Sequence, residues 1–198
     1  ISCLATYVKR AALQGAMAIL TTSSPGSAVV APFGGRAPRY STDPFAVGIP
    51  TDTTPVLIDT STAATTNRMV ERTKREGRTL AQPLLVDNTG QASDNPAVLD
   101  TEPPGAILPA GSMAMGHKGF AFAIMVEALT SGLAGTGRSE PGPGSNVFLQ
   151  LIDPEGFGGA DAFRRETGAF AGLCRETPPI APDRPVRMPG DRAMALYE

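Results

Sequence analysis

The chain of 198 residues has no tryptophan, a single histidine and two cysteines, and each scarcity excludes a chemistry. Cys3 and Cys174 form no CxxC pair and no zinc-type spacing, and with one histidine they cannot build a usual transition-metal site. Cysteines so few read as reduced thiols of a cytosolic protein. Charge of one sign is also lacking: 17 basic against 19 acidic residues leave a net charge of −2, so nothing points to nucleic acid or to an anionic membrane as partner. Long apolar runs are missing too. The longest, Phe120 to Leu129, carries Glu127 and is too short to cross a bilayer, and no segment resembles a signal peptide. No GxGxxG follows a strand, no GxxxxGK[ST] occurs and no GxSxG elbow is present, which removes the phosphate turns of Rossmann and P-loop proteins and leaves a Ser–His–Asp hydrolase built on His117 as a remote reading.

What remains has ordinary globular composition, with 41% hydrophobic and 18% charged residues, enough for one sizeable domain or two small ones. Glycine (22) and proline (19) are abundant, so turns and irregular connections fill much of the chain. Leu4 to Gln14 carries apolar residues at helical spacing, with Gly15 as a stop. Ala16–Thr22, Phe45–Ile49, Val56–Asp59, Leu84–Asp87, Asn146–Asp153 and Val186–Met188 read as strands. Ser23–Pro44 reads as a long loop, of the kind that is usually functional. Ser61 or Thr62 is expected to cap a helix running to about Glu76 and closed by Gly77. Arg68, Arg72, Lys74, Arg75 and Arg78 read as its wet face. Phe120 to Leu133 reads as a buried helix, and Asp161 to Glu176 as an amphipathic one that uses Phe163, Phe170, Leu173 and Cys174. The alternation implies an α/β architecture. The Gly/Pro stretches read as loops within one region, 1–198, rather than as a domain linker.

Four segments carry candidate chemistry. Gly116-His117-Lys118-Gly119 reads as a flexible turn at a helix N-terminus, where unpaired N–H groups and the helix dipole favour an anion. Thr21-Thr22-Ser23-Ser24 and Asp59-Thr60-Ser61-Thr62 gather hydroxyls at strand ends, and Val186–Arg192 forms a third loop. Taken singly, each of these three loops is also satisfied by a plain turn or N-cap.

Pro32-Phe33-Gly34-Gly35, Ser41-Thr42-Asp43-Pro44-Phe45, Leu57-Ile58-Asp59-Thr60-Ser61-Thr62, Gly116-His117-Lys118-Gly119-Phe120 and Pro189-Gly190-Asp191 occur in this order. Together they resemble the malate/L-lactate dehydrogenase family of non-Rossmann NAD(P)-dependent oxidoreductases. That family includes ureidoglycolate and sulfolactate dehydrogenases and Δ1-piperideine-2-carboxylate reductases. The resemblance runs through nearly the whole chain and implies a mixed α/β fold, with a largely antiparallel sheet flanked by helices. It implies cofactor contacts at Ser24, at Asp59, Thr60 and Ser61, at His117, Lys118 and Gly119, and at Gly190 and Asp191. Lys118 matches the lysine of the family's KG turn, and His117 has a binding rather than a catalytic part. Asp43 stands where many relatives have Asn, and Thr60-Ser61-Thr62 replaces a more common Met-Ala-Thr-Ser-like run.

The proton-transferring histidine of the family falls in an SxH segment that would lie just upstream of Ile1, so no catalytic residue is expected within the chain and none is expected to bind metal. The start at Ile1, without an initiator Met, fits a processed product or part of a longer polypeptide, and the end at Glu198 comes earlier than the resemblance leads one to expect. The implied reaction is hydride transfer between NAD or NADP and a small 2-hydroxy or 2-oxo acid, or a cyclic imino acid. A non-catalytic dinucleotide-binding or assembly module is the alternative. The resemblance further implies a cytoplasmic homodimer whose ligand is a small-molecule substrate.

Overall fold

The computed structural model describes residues 3–195. The chain forms two compact units interleaved in sequence. The first takes the described residues up to Leu20, Phe45–Thr60 and those from Phe148 onward; the second takes Thr21–Pro44 and Ser61–Val147.

In the first unit, helix α1 spans Ala5–Leu13. Strands β1 (Met17–Ser23), β2 (Pro44–Ile49), β3 (Val56–Ser61) and β7 (Asn146–Ile152) form a sheet in the order β3-β2-β1-β7. The helical spacing of Leu4, Val8 and Ala11 turns one face of α1 onto Ala18, Leu20, Ala46 and Leu57, and these residues make the core. Gly15, at φ 88°, then takes the left-handed conformation that ends the helix. The approach of α1 to β2 is set by Gly48, where a Cβ would lie 2.3 Å from the carbonyl oxygen of Val8. Helix α4 (Ala160–Glu176) is fastened by Thr167, whose hydroxyl donates to Pro50 O at 2.6 Å. The apolar face expected for α4 is corrected in part: Phe170 and Leu173 are exposed, and Ala171 is the residue that is fully buried. The expected strand Val186–Met188 is irregular. Pro189 has no N–H to offer a ladder, and its carbonyl instead accepts from Leu57 N at 3.0 Å. A one-turn helix α5, Asp191–Met194, follows.

In the second unit, β4 (Leu85–Val86) pairs antiparallel with β5 (Ala92–Ser93) and with β6 (Ala106–Ile107), in the order β5-β4-β6. The expected long loop 23–44 is stitched into this sheet rather than left free. Val30 bridges both Tyr40 and Ile107, and Ala31 N donates to Ile107 O at 3.0 Å. Val30, Tyr40, Ala63, Val70, Leu80, Leu85, Ile107 and Ala123 form the core.

Two expectations change here. Helix α2 covers Asn67–Arg75 and is capped by Thr66, not by Ser61 or Thr62. Thr66 is extended and its side chain accepts from Met69 N, whereas Ser61 is drawn into a strand end. The apolar run is not a fully buried helix. Helix α3 (Ser112–Glu127) buries Gly116, Gly119, Ala123 and Val126, while Met113, Met115, Phe122 and Ile124 are exposed. A π-helical turn, Ala128–Gly132, continues it. No helix among the described residues is long and apolar enough to cross a membrane.

A methyl group at position 48 has no room against backbone. Gly48→Ala is expected to cost about 3 kcal/mol of stability, read as a lowered midpoint in urea unfolding.

Candidate functional site

Backbone contacts bring the motif segments of the second unit together. Thr62 N donates to Thr42 O at 3.2 Å, Ala110 N to Thr62 O at 2.8 Å, and Gly119 N to Ala110 O at 3.2 Å. At Gly119 a Cβ would stand 2.5 Å from the nitrogen and oxygen of Ala110 and 2.8 Å from Thr62 O. At Gly116 it would meet Phe33 Cδ2 at 3.0 Å. The two glycines of the Gly116-His117-Lys118-Gly119 segment are therefore packing residues: Gly119 lets α3 lie on main chain, and Gly116 makes room for the Phe33 ring.

This corrects the reading of that segment as a turn at a helix N-terminus. The helix begins at Ser112, behind the left-handed cap Gly111, so residues 116–119 are inside it and have no free N–H cradle to offer. What they present is the exposed side. His117 stands edge-on to Phe33, with ring centroids 5.6 Å apart, and Lys118 is exposed and in no salt bridge among the described residues. Ser61 donates to Thr42 O at 2.7 Å and accepts from Ala63 N at 3.0 Å. Ser24 N donates to Ser41 Oγ at 3.0 Å, and its own hydroxyl meets that of Ser145 at 2.7 Å.

The remaining candidates lie in the first unit, where β3 meets the C-terminal turn. Gly190 has φ 94°, and a Cβ there would be 2.8 Å from that of Leu57, so both backbone conformation and space require glycine. Asp191 is committed internally. Arg175 donates to it through Nη2 at 2.7 Å and Nε at 3.1 Å, and Met188 N through a third bond of 2.8 Å. The Arg175 hydrogen bond, opposed by burial and helped by Met188 N–H, holds its carboxyl below the usual carboxylate range. Asp59 Oδ2 accepts from Ala5 N at 2.9 Å and from Cys3 Sγ at 3.2 Å, placing a carboxylate at the start of α1 where the helix dipole favours it. Thr60 follows it, exposed, on β3.

One polar cluster joins residues that the sequence does not connect. Asp43 is fully buried, at φ 40°, and accepts from Ser41 Oγ. Arg138 donates to Glu127 Oε1 through Nε at 3.1 Å and Nη2 at 2.5 Å, and through Nη1 to Ser27 O at 2.9 Å. Nearby, the Ser23 hydroxyl meets those of Thr130 at 2.7 Å and Ser131 at 2.9 Å, both on the π-helical turn. The trace in sequence was Glu127, a lone charge in an apolar run. No group of three or more His, Cys, Asp or Glu among the described residues is placed to hold a metal ion.

The sequence profile of the malate/L-lactate dehydrogenase family matches residues 1–198. Hydroxycarboxylate dehydrogenase B of Escherichia coli (strain K12) is 32% identical over 194 residues, which cover 93% of this chain and 52% of that protein. The (2R)-3-sulfolactate dehydrogenase (NADP(+)) of Chromohalobacter salexigens is 33% identical over 200 residues, covering 96% and 55%. Among solved structures, delta1-piperideine-2-carboxylate reductase from Pseudomonas syringae pv. tomato superposes with a TM-score of 0.79 at 29% identity, over 98% of this chain and 57% of that one. The mixed α/β architecture with antiparallel sheet pairing is thus that of a known class of dehydrogenases and reductases, and the chain belongs to the malate/L-lactate dehydrogenase family. It spans about half the length of the curated relatives it matches.

The opposite environments of neighbouring residues on α3 give a direct test. Gly119→Ala is expected to lower stability by about 3 kcal/mol and Lys118→Ala to change it by less than about 0.5 kcal/mol, both read from chemical unfolding.

Proposed function

We propose that this chain is the cofactor-binding part of an NAD(P)-dependent oxidoreductase that moves a hydride between the nicotinamide and a small 2-hydroxy or 2-oxo acid, or a cyclic imino acid. The observation that carries the reading is the family match along all 198 residues. The chemistry of the donor set supports it. Lys118 and His117 offer N–H donors to solvent from the exposed side of α3, and Lys118 is in no salt bridge among the described residues, which suits a cofactor phosphate. Ser61 brings a hydroxyl fixed by backbone partners and Ser24 one that meets the Ser145 hydroxyl, and Gly119 supplies the close backing that sets the helix carrying Lys118.

In the first unit, Asp59, Thr60 and Gly190 are the second group of candidate contacts. Asp191 serves there by holding the Met188–Asp191 turn in shape. The dinucleotide supplies the redox chemistry when bound, and the protein's part is orientation and charge. Proton delivery calls for a group titrating near neutrality; the His117 ring, packed on Phe33 beside Lys118, is assigned to binding.

Titration of NADH and NADPH by calorimetry tests the reading. Lys118→Ala is expected to weaken binding by about tenfold, the worth of one charge-assisted contact, with His117→Ala weakening it less. Unchanged affinity in the lysine variant overturns the phosphate assignment. Binding without turnover supports the dinucleotide-binding module instead.

We further propose a homodimer. The exposed Phe122 and Ile124 of α3 and the exposed Val147, Leu149 and Leu151 of β7 are apolar surfaces of the kind that mark interfaces. Sedimentation equilibrium is expected to give twice the chain mass, and a monomer at all concentrations rejects it.

A further inference from the structure

The cluster around Asp43 contains an imbalance that hydrogen bonds alone do not settle. Asp43 Oδ1 accepts from the Ser41 hydroxyl, but Oδ2 is buried and meets no donor among the described residues. The group it faces is the carboxyl of Glu127, another acceptor. Arg138 is the neighbouring cation, and its donors go to Glu127 Oε1 and to the carbonyls of Pro25 and Ser27. One guanidinium thus stands beside two carboxyls, of which Asp43 is fully buried, and an ionised Asp43 would keep a carboxylate oxygen with no donor away from water.

We propose that Asp43 and Glu127 hold a single proton between them, and that this acid pair, acting through Ser41, positions the loop that carries Ser24. With the proton on Asp43 Oδ2, both oxygens of that buried carboxyl are satisfied. The acid O–H donates to Glu127, Glu127 accepts also from Arg138, and Asp43 Oδ1 accepts from Ser41. Ser41 Oγ in turn accepts from Ser24 N–H at 3.0 Å. Asp43 and Ser41 are positioning residues, not contacts to a ligand.

The groups facing Asp43 are the Ser41 hydroxyl and the Tyr40 phenol from its own loop, Glu127 from α3, and Arg138 from the segment beyond the π-helical turn. Burial pushes the Asp43 carboxyl up to about 7, with Glu127 adding to the rise and the Ser41 hydrogen bond and Arg138 opposing it. Burial, and secondarily the charge of Asp43, raises the Tyr40 phenol, so Tyr40 stays neutral and cannot take part in the titration. The proton has a route to solvent. Glu127 and Arg138 line a cavity of about 470 Å³ bordered by Arg39, Tyr40, Phe120 and Ile124.

The sign follows from linkage. A carboxyl whose folded-state pKa is raised contributes stability that is complete below the ordinary carboxylate range and is lost as pH rises through about 7. The experiment follows thermal unfolding and NADH titration of the full chain from pH 5.5 to 8.5, in the wild type, Asp43→Asn and Glu127→Gln, with carboxyl carbon NMR of the wild type. An asparagine amide accepts from Ser41 and donates to Glu127 without a titratable proton. The expected result is a wild-type midpoint that falls across this range, with NADH bound about fivefold more weakly at the alkaline end, and both slopes flattened in Asp43→Asn. The NMR step of Asp43 is expected near neutrality.

An Asp43 step in the ordinary carboxylate range overturns the shared proton, even if neither variant folds. Equal alkaline slopes of NADH affinity in wild type and Asp43→Asn overturn the positioning role. That role rests on the function proposed above, whereas the shared proton does not. Absence of NADH binding at every pH rejects the proposed function and, with it, the positioning of a cofactor loop, while NMR and unfolding still decide the acid pair.

Discussion

The second unit depends on how closely α3 approaches main chain. Gly119 lies where any side chain would collide with the backbone of Ala110 and Thr62, while Gly116 faces the Phe33 ring. Because the Gly119 contact is backbone to helix, it leaves no freedom to repack around a larger residue. Thr42, Thr62, Ala110 and Gly119 are tied in sequence by three hydrogen bonds, so one helix face fixes the register of three separate motif segments. The large apolar residues of α3 are left on the outside as a result. Small residues inside and large ones outside invert the usual pattern of a surface helix.

The charged candidates divide by what already holds them. Asp191 gives its carboxylate to Arg175 and to the Met188 amide, and Asp59 gives one oxygen to the start of α1. Their first physical task is to shape the C-terminal turn and to seat a helix. Lys118 has no such internal ion pair among the described residues. A residue whose charge is spent on its own fold and one whose charge is left facing water are suited to different work, and that difference could not be read from spacing. At the buried end of the scale, Asp43 lies beside the partly buried Glu127, with Arg138 the one neighbouring cation among the described residues. There the protonation state, rather than a further side chain, completes the structure.

Much of the fold was legible in the sequence, for identifiable reasons. α1, β1, β2, β3, β7 and α4 follow from apolar spacing bounded by glycine or proline, and each lies within a residue or two of its expected place. The start of α2 was misplaced because several hydroxyl residues precede it, and only the extended backbone of Thr66 selects among them. β5 and β6, two residues each, are too short to carry a period. The apolar run was read as uniformly buried because glycine and alanine give no sign of which helix face they occupy. The motif order exposed the family. It did not expose Ser41, Asp43, Glu127 and Arg138 as one cluster, since contacts between residues so far apart in sequence leave no local pattern.

The interleaving of the two units has a bearing on how such a chain is made and cut. The backbone passes between them at Leu20/Thr21, Pro44/Phe45, Thr60/Ser61 and Val147/Phe148. Neither unit is a contiguous stretch of gene, so no single excision, fusion or duplication yields one without the other. During synthesis from the N-terminus, every residue of the second unit is made before β7 and α4 are complete. The first unit therefore waits, with its sheet short of an edge strand, until β7 has been made.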